Sequence, residues 1–501
     1  MKRITIIMML LSIFSKFFGF ARELVLSNTY GAGAISDAFV FSYNLPSTLF
    51  SVIIAAFVTG FIPMYTRIRK DDGSEEANKF VNNIQNVMLL IAIILGVFYL
   101  LFTDAFLAVM TPKATPELLM YLRPFSRITI FTLIFTCTIQ ILTGFLQIHE
   151  AFIFPVALAF PLNVILIGSI LLSKSVDPIL LPIGILLAYA VQAALIMWYA
   201  SKKGYHFKLY INLKDPNLKI MLTLAIPLIV GSATSSIGGL VNQALASSVV
   251  GGISHIGYAQ KIGGMVEGIF GLAIVSVMYP ALSKAVSVKD YDKAANEYEN
   301  AMSSLLLFIV PCAVGMSVLA TPIVQFVYMR GEFGPEAAAV LAQVFRTYSM
   351  GLVSYSMYGL LARVFYSFQD TKTPMYVSVA NITLQIILGY TFMKFMGLHG
   401  ITLGMAVAST FGMLLLFFLS LKKFDNFNLK EFLTEFAKIV GSSLIMGGVA
   451  FLLFRLLNGH TSSNIAILGT IFVAVAVYLF LIVIFRVKVL VELIDSIKNR
   501  K

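Results

Sequence analysis

Charge is what this sequence has least of. Asp, Glu, Lys and Arg together make up 12% of its 501 residues, against 59% hydrophobic residues, and the mean hydropathy is +0.90. A soluble domain carries about a quarter charged residues, so a water-soluble fold is excluded and the apolar excess requires lipid. Cysteine is almost absent: Cys137 and Cys312 each sit inside an apolar run, which excludes a disulfide framework and a CxxC metal site. The five histidines have no ligand spacing, the Asp71–Asp72 pair of RIRKDDGSEEANK has no metal-binding pattern, and no GxxxxGK[ST] phosphate loop occurs. No linker is long enough to hold an extramembrane catalytic domain. The net charge of +12 is spread over short loops between apolar runs, a pattern of membrane topology and not of a nucleic-acid-binding face.

What the sequence has in abundance is long apolar runs. A helix needs about 20 residues to cross the hydrocarbon core, and fourteen candidates meet that length, from 4–27 and 36–65 at one end to 432–456 and 463–486 at the other. The expected fold is therefore an all-α polytopic membrane protein, since a barrel would show short alternating segments. The first run is read as a retained helix, because a signal peptide would be shorter and uncharged and would end in a cleavage site. On one side of the alternation the loops hold twenty-three Lys and Arg residues; on the other they hold only Lys113, Lys174, Arg330, Lys394 and Arg455. The positive-inside rule then places both termini in the cytoplasm.

Two stretches repeat. Asp37 aligns with Ser254 and Pro63 with Pro280 at an offset of 217, and Pro155 aligns with Pro374 at 219. The shared offset predicts a duplicated six-helix unit in parallel orientation. The expected organisation is an N-terminal lobe at 1–200, a basic cytosolic linker at 201–217 and a C-terminal lobe at 218–421. Two extra helices at 432–486 and a cytosolic tail at 487–501 follow.

Polar residues inside the apolar runs recur at three- and four-residue steps, which places them on one helix face. The first helix carries Ser12, Ser15, Lys16, Gly19, Arg22, Glu23 and Ser27, and the second carries Asn44, Ser47, Thr48, Ser51, Ala55 and Thr59. The seventh has Gly231, Ser232, Ser235, Gly238, Gly239, Asn242 and Gln243; the eighth has Gln260, Lys261, Gly264, Glu267, Gly268 and Gly271. A charge at bilayer depth costs about 3 kcal/mol or more unless it faces water or a partner. Two equivalent helix pairs, each with a cation, fit a central cavity for an anionic solute. Simpler readings stay open: Arg123, Arg127 and Arg363 as interfacial snorkels, Arg22 and Glu23 as a structural pair, Asp37 as a helix cap, and the small-residue stripes as close packing.

At these residues the chain resembles a known family. SKFFGFARE, GAGAISDAF and LP…AAFVTGFIPMY, followed by YAQKIGGMVEGIFGLAI…YPALSK and FYSFQDTKTP, resemble the MurJ (MviN) lipid II flippases of the multidrug/oligosaccharidyl-lipid/polysaccharide exporter superfamily. The resemblance spans essentially the whole chain, two extra C-terminal helices included. The family pattern SRxxGFxRD falls on Ser15, Lys16, Gly19, Phe20, Arg22 and Glu23. The acidic residue of GAGxxxDAF falls on Asp37, and YADR falls on YAQK, placing the family's arginine on Lys261 and its aspartate on Gln260, with Ser254 a few residues earlier. Where the family has paired arginines and AEGAF on helix 2, this chain has Phe50, Ser51 and Ala55; where many relatives have Asp-Arg on helix 7, it has Asn242 and Gln243. Lysine lacks the bidentate fork of arginine, so phosphate is held by fewer fixed geometries.

The resemblance implies a transporter and not an enzyme: a flippase moving an undecaprenyl-pyrophosphate-linked glycan, lipid II first, by alternating access between two lobes. Lys16, Arg22 and Lys261 would hold the pyrophosphate, with Glu23, Asp37 and Ser254 beside them. Asn44, Ser47, Ser51, Asn242, Gln243, Gln260, Gly264 and Glu267 would line the cavity, and helices 13 and 14 would give the lipid tail a groove. Pro46, Pro227, Gly263 and Gly264 are the expected bending points. No cofactor or metal is implied; the drive would come from the membrane potential or a monovalent cation. The expected partners are the lipid-linked glycan, the bilayer and the cell-wall synthesis machinery. The alternatives are a flippase for another polyprenyl-linked polysaccharide of capsule or teichuronic type and, from another class, a membrane-embedded glycan polymerase, which would need larger outer loops.

Overall fold

A computed structural model describes residues 2–424 and 427–491, and only the backbone of residues 2–6, 9, 51–60, 222–235 and 272. Every regular element among the described residues is helical. They divide into two compact units, Met1–Ser254 and His255–Lys501. The expected lobes divide at the linker; the compact units divide one helix later, because the helix after the linker packs along the second helix of the chain. Residues 492–501 of the expected tail lie outside the described residues.

Unit 1 holds α1 (Lys2–Tyr30), α2 (Ala34–Asp71), α3 (Gly73–Leu101), α4 (Thr103–Met110), α5 (Pro116–Thr129), α6 (Thr132–Ile148), α7 (Ile153–Ala157), α8 (Ala159–Ser175), α9 (Leu180–Lys202) and α10 (Pro216–Ala246). α2 is its axis, packed against α3, α5, α6, α9 and α10. α1 lies on α7 and α8, fixed at its far end by the Tyr30 hydroxyl donating to Ser173 Oγ at 2.8 Å. Helix starts follow side-chain chemistry: Thr115 accepts from Leu118 N with Pro116 next to it, and Asp215 accepts from Asn217 N with Pro216 next to it.

α11 (Gly252–Val266) begins at the boundary. Unit 2 continues through a π-turn, Glu267–Gly271, into α12 (Leu272–Ser287), α13 (Tyr291–Val318), α14 (Ala320–Tyr328), α15 (Pro335–Met350), α16 (Leu352–Ser367), α17 (Lys372–Met396), α18 (Leu398–Leu421), α19 (Leu429–Leu457) and α20 (Ser463–Ile484). α13 packs on α12, α15, α16 and α19, while α18 packs on α15, α16 and α17. Between α16 and α17, Asp370 accepts from Thr373 N and Thr373 Oγ1 and faces Lys423 at 3.4 Å. Burial alone would raise its carboxyl, but the Thr373 bonds and the Lys423 charge outweigh burial and hold it below its ordinary 3.8. Its contribution is therefore present above that value and is lost as pH falls through the lowered one.

Each of the fourteen expected spans falls on one helix or on a broken pair. Eight helices among the described residues are long and apolar enough to cross a membrane, ten if each bent pair counts as one. The chain is an all-helical, multi-pass membrane protein. Large exposed side chains such as Leu101, Val109, Phe395 and Phe472 are a lipid-facing surface and not a packing defect.

Glycine sets the close contact between α17 and α18. At Gly397, φ is +73°, a conformation that turns α17 directly into α18. A Cβ at Gly404 would stand 2.6 Å from Gly389 N, and one at Gly400 would stand 2.4 Å from Phe392 O. The two backbones meet through these glycines, as membrane helices do when small residues line a seam. Gly404→Val should destabilise the protein by about 1–3 kcal/mol through overpacking, read as a lower unfolding midpoint in detergent. Gly168→Ala, with nothing within 4 Å of the added carbon, should leave that midpoint unchanged.

The linker is held down by an asparagine row on α3. Asn82 Nδ2 donates to His206 O at 2.8 Å, Asn83 Nδ2 to Asn212 O at 3.0 Å, and Asn86 Nδ2 to the carbonyls of Lys208 and Tyr210 at 2.9 and 3.1 Å. Lys208 N and Asn212 N return the bonds to Asn82 and Asn83 at 2.9 and 2.6 Å. The Tyr205 hydroxyl donates to Gln85 Oε1 at 2.6 Å, and burial pushes that phenol well above its ordinary value. Each bond contributes about 0.5–1.5 kcal/mol net. Asn82→Ala, which removes bonds to His206, Lys208 and Tyr205, should raise trypsin cleavage after Lys202, Lys203 or Lys208 about tenfold, scored by fragment mass.

Candidate functional site

α1 presents Arg22 and Glu23 to the interior of unit 1, where both are buried, at 2% and 4% exposure. The Arg22 guanidinium pairs with the Glu23 carboxylate next to it and lies 4.3 Å from the centroid of the Tyr43 ring on α2. Tyr43 is itself set between Phe39, one turn earlier, and Tyr189 of α9, with centroids at 6.3 and 6.4 Å. Arg22 Nε is buried with no hydrogen-bond partner, so the guanidinium leans on one carboxylate and one aromatic face. A buried charge pair of this kind is costly to break, since removing one member strands the other.

Lys16 is placed differently. Seven residues separate it from Glu23, nearly two full turns, so those two share a face, whereas Arg22 is rotated away from Lys16. Lys16 is half-buried, and Ser12, Phe14 and Phe17 around it are exposed. The single stripe expected for the first helix is thus divided. In its later half Arg22 meets Tyr43 of α2, and its earlier half lies nearer the surface of the unit.

Asp37, in the first turn of α2, is fully buried and accepts from Ser254 N at 2.7 Å and Ser254 Oγ at 2.6 Å. Ser254 belongs to the first turn of α11 and is fully buried as well. Asp37 therefore serves as an N-cap supplied from another helix: it neutralises open N–H groups and places an anion at the positive end of the helix dipole. These residues are the pair that the internal repeat aligns. The fold binds one to the other.

In unit 2, Lys261 is exposed on α11 and Gln260 is half-buried. Gly263 and Gly264 differ sharply. A Cβ at Gly263 would meet the Tyr348 ring at 2.3 Å, while one at Gly264 would meet nothing within 4 Å. One glycine is a packing contact and the other faces open space. Glu267 opens the π-turn, which packs on α16, and the rings of Tyr348 on α15 and Tyr355 on α16 lie 5.2 Å apart. The break in this helix falls at that π-turn and not at the expected Gly263–Gly264 hinge. π-turns commonly mark functional positions in helices.

Other expected residues are spent locally. Asn44 Nδ2 donates to Val40 O, and Ser47 Oγ donates to Asn44 O. Asn242 is buried and Gln243 half-buried on α10. The side chains of Ser51, Pro227, Gly231, Ser232 and Ser235 lie outside the described residues. Arg123 pairs with Asp104 at 2.8 Å on an exposed surface, Arg127 Nε donates to Thr103 Oγ1, and Arg363 donates to Gly359 O. Tyr43, Tyr189, Tyr348 and Tyr355 were not legible as site residues, because single tyrosines in apolar runs read as core.

A family model described as lipid II flippase MurJ matches residues 26–485. The chain belongs to the MurJ family. Curated MurJ relatives include a probable lipid II flippase MurJ of Rhizobium meliloti, 26% identical over 80% of this chain and 77% of that one. Another is the lipid II flippase MurJ of Burkholderia cenocepacia, 24% identical over 87% of each chain. A solved lipid II flippase MurJ in an inward closed conformation superposes with a TM-score of 0.83 at 25% identity, covering 96% of this chain and 98% of that one. A multidrug resistance MATE family transporter of the MOP superfamily, inward-facing, shares the fold at 15% identity, with a TM-score of 0.67 over 82% of this chain and 94% of that one. The MurJ model match begins at residue 26, after both Lys16 and Arg22. The chain is a membrane transporter of the flippase type and not a catalytic enzyme.

The Arg22–Glu23 pair gives a direct test. Glu23→Ala strands the arginine and should cost about 3–5 kcal/mol, seen as a fall in folded protein recovered from membranes. The double change Arg22→Met with Glu23→Leu should recover most of that loss.

Proposed function

We propose that this chain carries lipid II from the inner to the outer leaflet of the cytoplasmic membrane for peptidoglycan synthesis. The observation that carries this reading is the MurJ model match over residues 26–485. The chain is inserted with both termini in the cytoplasm, as its loop lysines and arginines favour. Two six-helix lobes alternate access, and α19 and α20 offer the polyprenyl tail a lateral groove.

Within that reading the charges take different tasks. Lys16 and Lys261 attract the pyrophosphate as point charges. Arg22, held by Glu23 and the Tyr43 ring, positions α1 against α2 and contributes field more than contact. Asp37 holds the start of α11 through Ser254. Gly264 leaves room beside Lys261 for the head group, and the half-buried polar residues Asn44, Gln243 and Gln260 tolerate sugar hydroxyls. The energy source is the membrane potential or a monovalent cation. A cationic site returns inward under a negative interior, at about 2.3 kcal/mol per charge per 100 mV.

Complementation tests the reading in a bacterium depleted of its own lipid II flippase, with membrane levels matched by blot. The wild-type chain should restore growth. Lys16→Ala and Lys261→Ala should each cut rescue about tenfold, the loss of one charge-assisted phosphate contact. A well-inserted wild type that fails to rescue would redirect the assignment to another polyprenyl-linked polysaccharide.

A further inference from the structure

The linker carries a feature that flipping does not use. Between Lys202 and Pro216 the chain is neither helix nor sheet, apart from tight turns at its ends. Carbonyls of alternate residues, His206, Lys208, Tyr210 and Asn212, are bonded to the α3 asparagines. That period of two is the signature of an extended strand lying along a helix. The intervening residues are all apolar: Phe207, Leu209, Ile211 and Leu213 are 48%, 84%, 45% and 66% exposed. A solvated linker gains nothing from four exposed apolar side chains in a row.

Height along α3 locates the row. The bonded asparagines end at Asn86, and the first exposed leucine of α3 is Leu90. Four residues of helix rise about 6 Å, and the headgroup zone adds about 5–8 Å to each side of the hydrocarbon. The strand therefore crosses α3 at interface level. It is also continuous with a lipid-facing surface, since it follows directly on α9, whose Trp198 is 52% exposed with Lys202 Nζ stacked 3.9 Å over its ring. Charge is complementary to an anionic surface: Lys202, Lys203, Lys208 and Lys214 are all exposed. Of the nearby acids, Glu76 is paired with Lys79, and Asp215 caps α10 and accepts from Asn83. A cavity of about 560 Å³, lined by Lys79, Lys208, Asn78, His206 and Glu75 among others, opens beside the strand and is large enough for a phosphodiester head group.

We propose that residues 206–214 form an interfacial strap, with Phe207, Leu209, Ile211 and Leu213 seated in the adjacent leaflet and the flanking lysines on anionic lipid head groups. The α3 asparagines make this possible by satisfying the backbone that a helix would otherwise satisfy internally. Amphipathic surface anchoring, usually the work of a helix, is here performed by an extended segment.

The single native tryptophan makes the test clean. In a Trp198→Phe background, Leu209→Trp and Lys208→Trp place reporters on opposite faces of the strand. Each full-length variant is reconstituted in phosphatidylcholine–phosphatidylglycerol liposomes with and without chain-brominated lipid. Both positions are exposed, so both variants should fold, as size-exclusion profiles would verify. Bromolipid should quench the Leu209→Trp emission by half or more and the Lys208→Trp emission much less, with iodide giving the reverse order. Iodide access at Leu209→Trp without bromolipid quenching would overturn the proposal and mark the row as a surface for a protein partner. In the head-group arm, raising phosphatidylglycerol should strengthen quenching at Leu209→Trp, and replacing the four lysines by glutamine should abolish that response. An unchanged response in the glutamine variant would overturn the role given to the lysines.

Discussion

Water does not reach the hydrocarbon core, so each donor, acceptor and charge placed there must find its partner inside the protein. The internal architecture of each unit follows from that constraint. Among the described residues, buried bonds joining separate helices include Asp37 to Ser254, Tyr298 to Ser420 at 2.6 Å, Thr347 to Thr402 at 2.6 Å, and Tyr478 to the Leu307 carbonyl at 2.7 Å. Each ties one helix to a neighbour that is remote in sequence. Most other hydroxyls bond back to a carbonyl one turn earlier, as Thr29, Ser169 and Thr410 do, which satisfies the group without joining anything. The cross-helix bonds therefore fix geometry, while apolar contact and close backbone approach hold the remaining surfaces together.

The same constraint shapes the candidate site. Arg22 enters the interior of unit 1 only with Glu23 at its side and the Tyr43 ring against it. A cation balanced in this way has little charge left to offer a ligand. The departure from the family's arginines then becomes physically intelligible. A lysine is a compact point charge without the fixed fork of arginine. Open space beside Gly264 and a packed ring beside Gly263 show how adjacent glycines on one helix serve opposite ends.

Rigidity is unevenly distributed. α17 and α18 are joined glycine to backbone, with no room to slide. α11 runs into a π-turn at Glu267, where the regular hydrogen-bond ladder is interrupted. The linker, which composition alone reads as a flexible joint, is bonded along its length to α3.

The sequence alone determined the class of the molecule. Long apolar runs have one physical solution in lipid, and charge asymmetry between loops, the 217-residue offset and the GAGAISDAF element were all legible without coordinates. The site was legible in part: Arg22, Glu23 and Asp37 stood out because charge in an apolar run is costly wherever it points. Their partners did not stand out. Tyr43 and Tyr189 lie 146 residues apart and look like ordinary core residues, and a hydrophobic pattern records which face of a helix is polar but not which helix it meets. That Asp37 caps another helix, that Arg22 is neutralised, and that the asparagines of α3 hold the linker were decided only by tertiary structure. For Asp37 and the asparagines the partner comes from a distant part of the chain, as does the Tyr43 ring that meets Arg22 beside its neighbour Glu23, and local sequence carries no record of those distant partners.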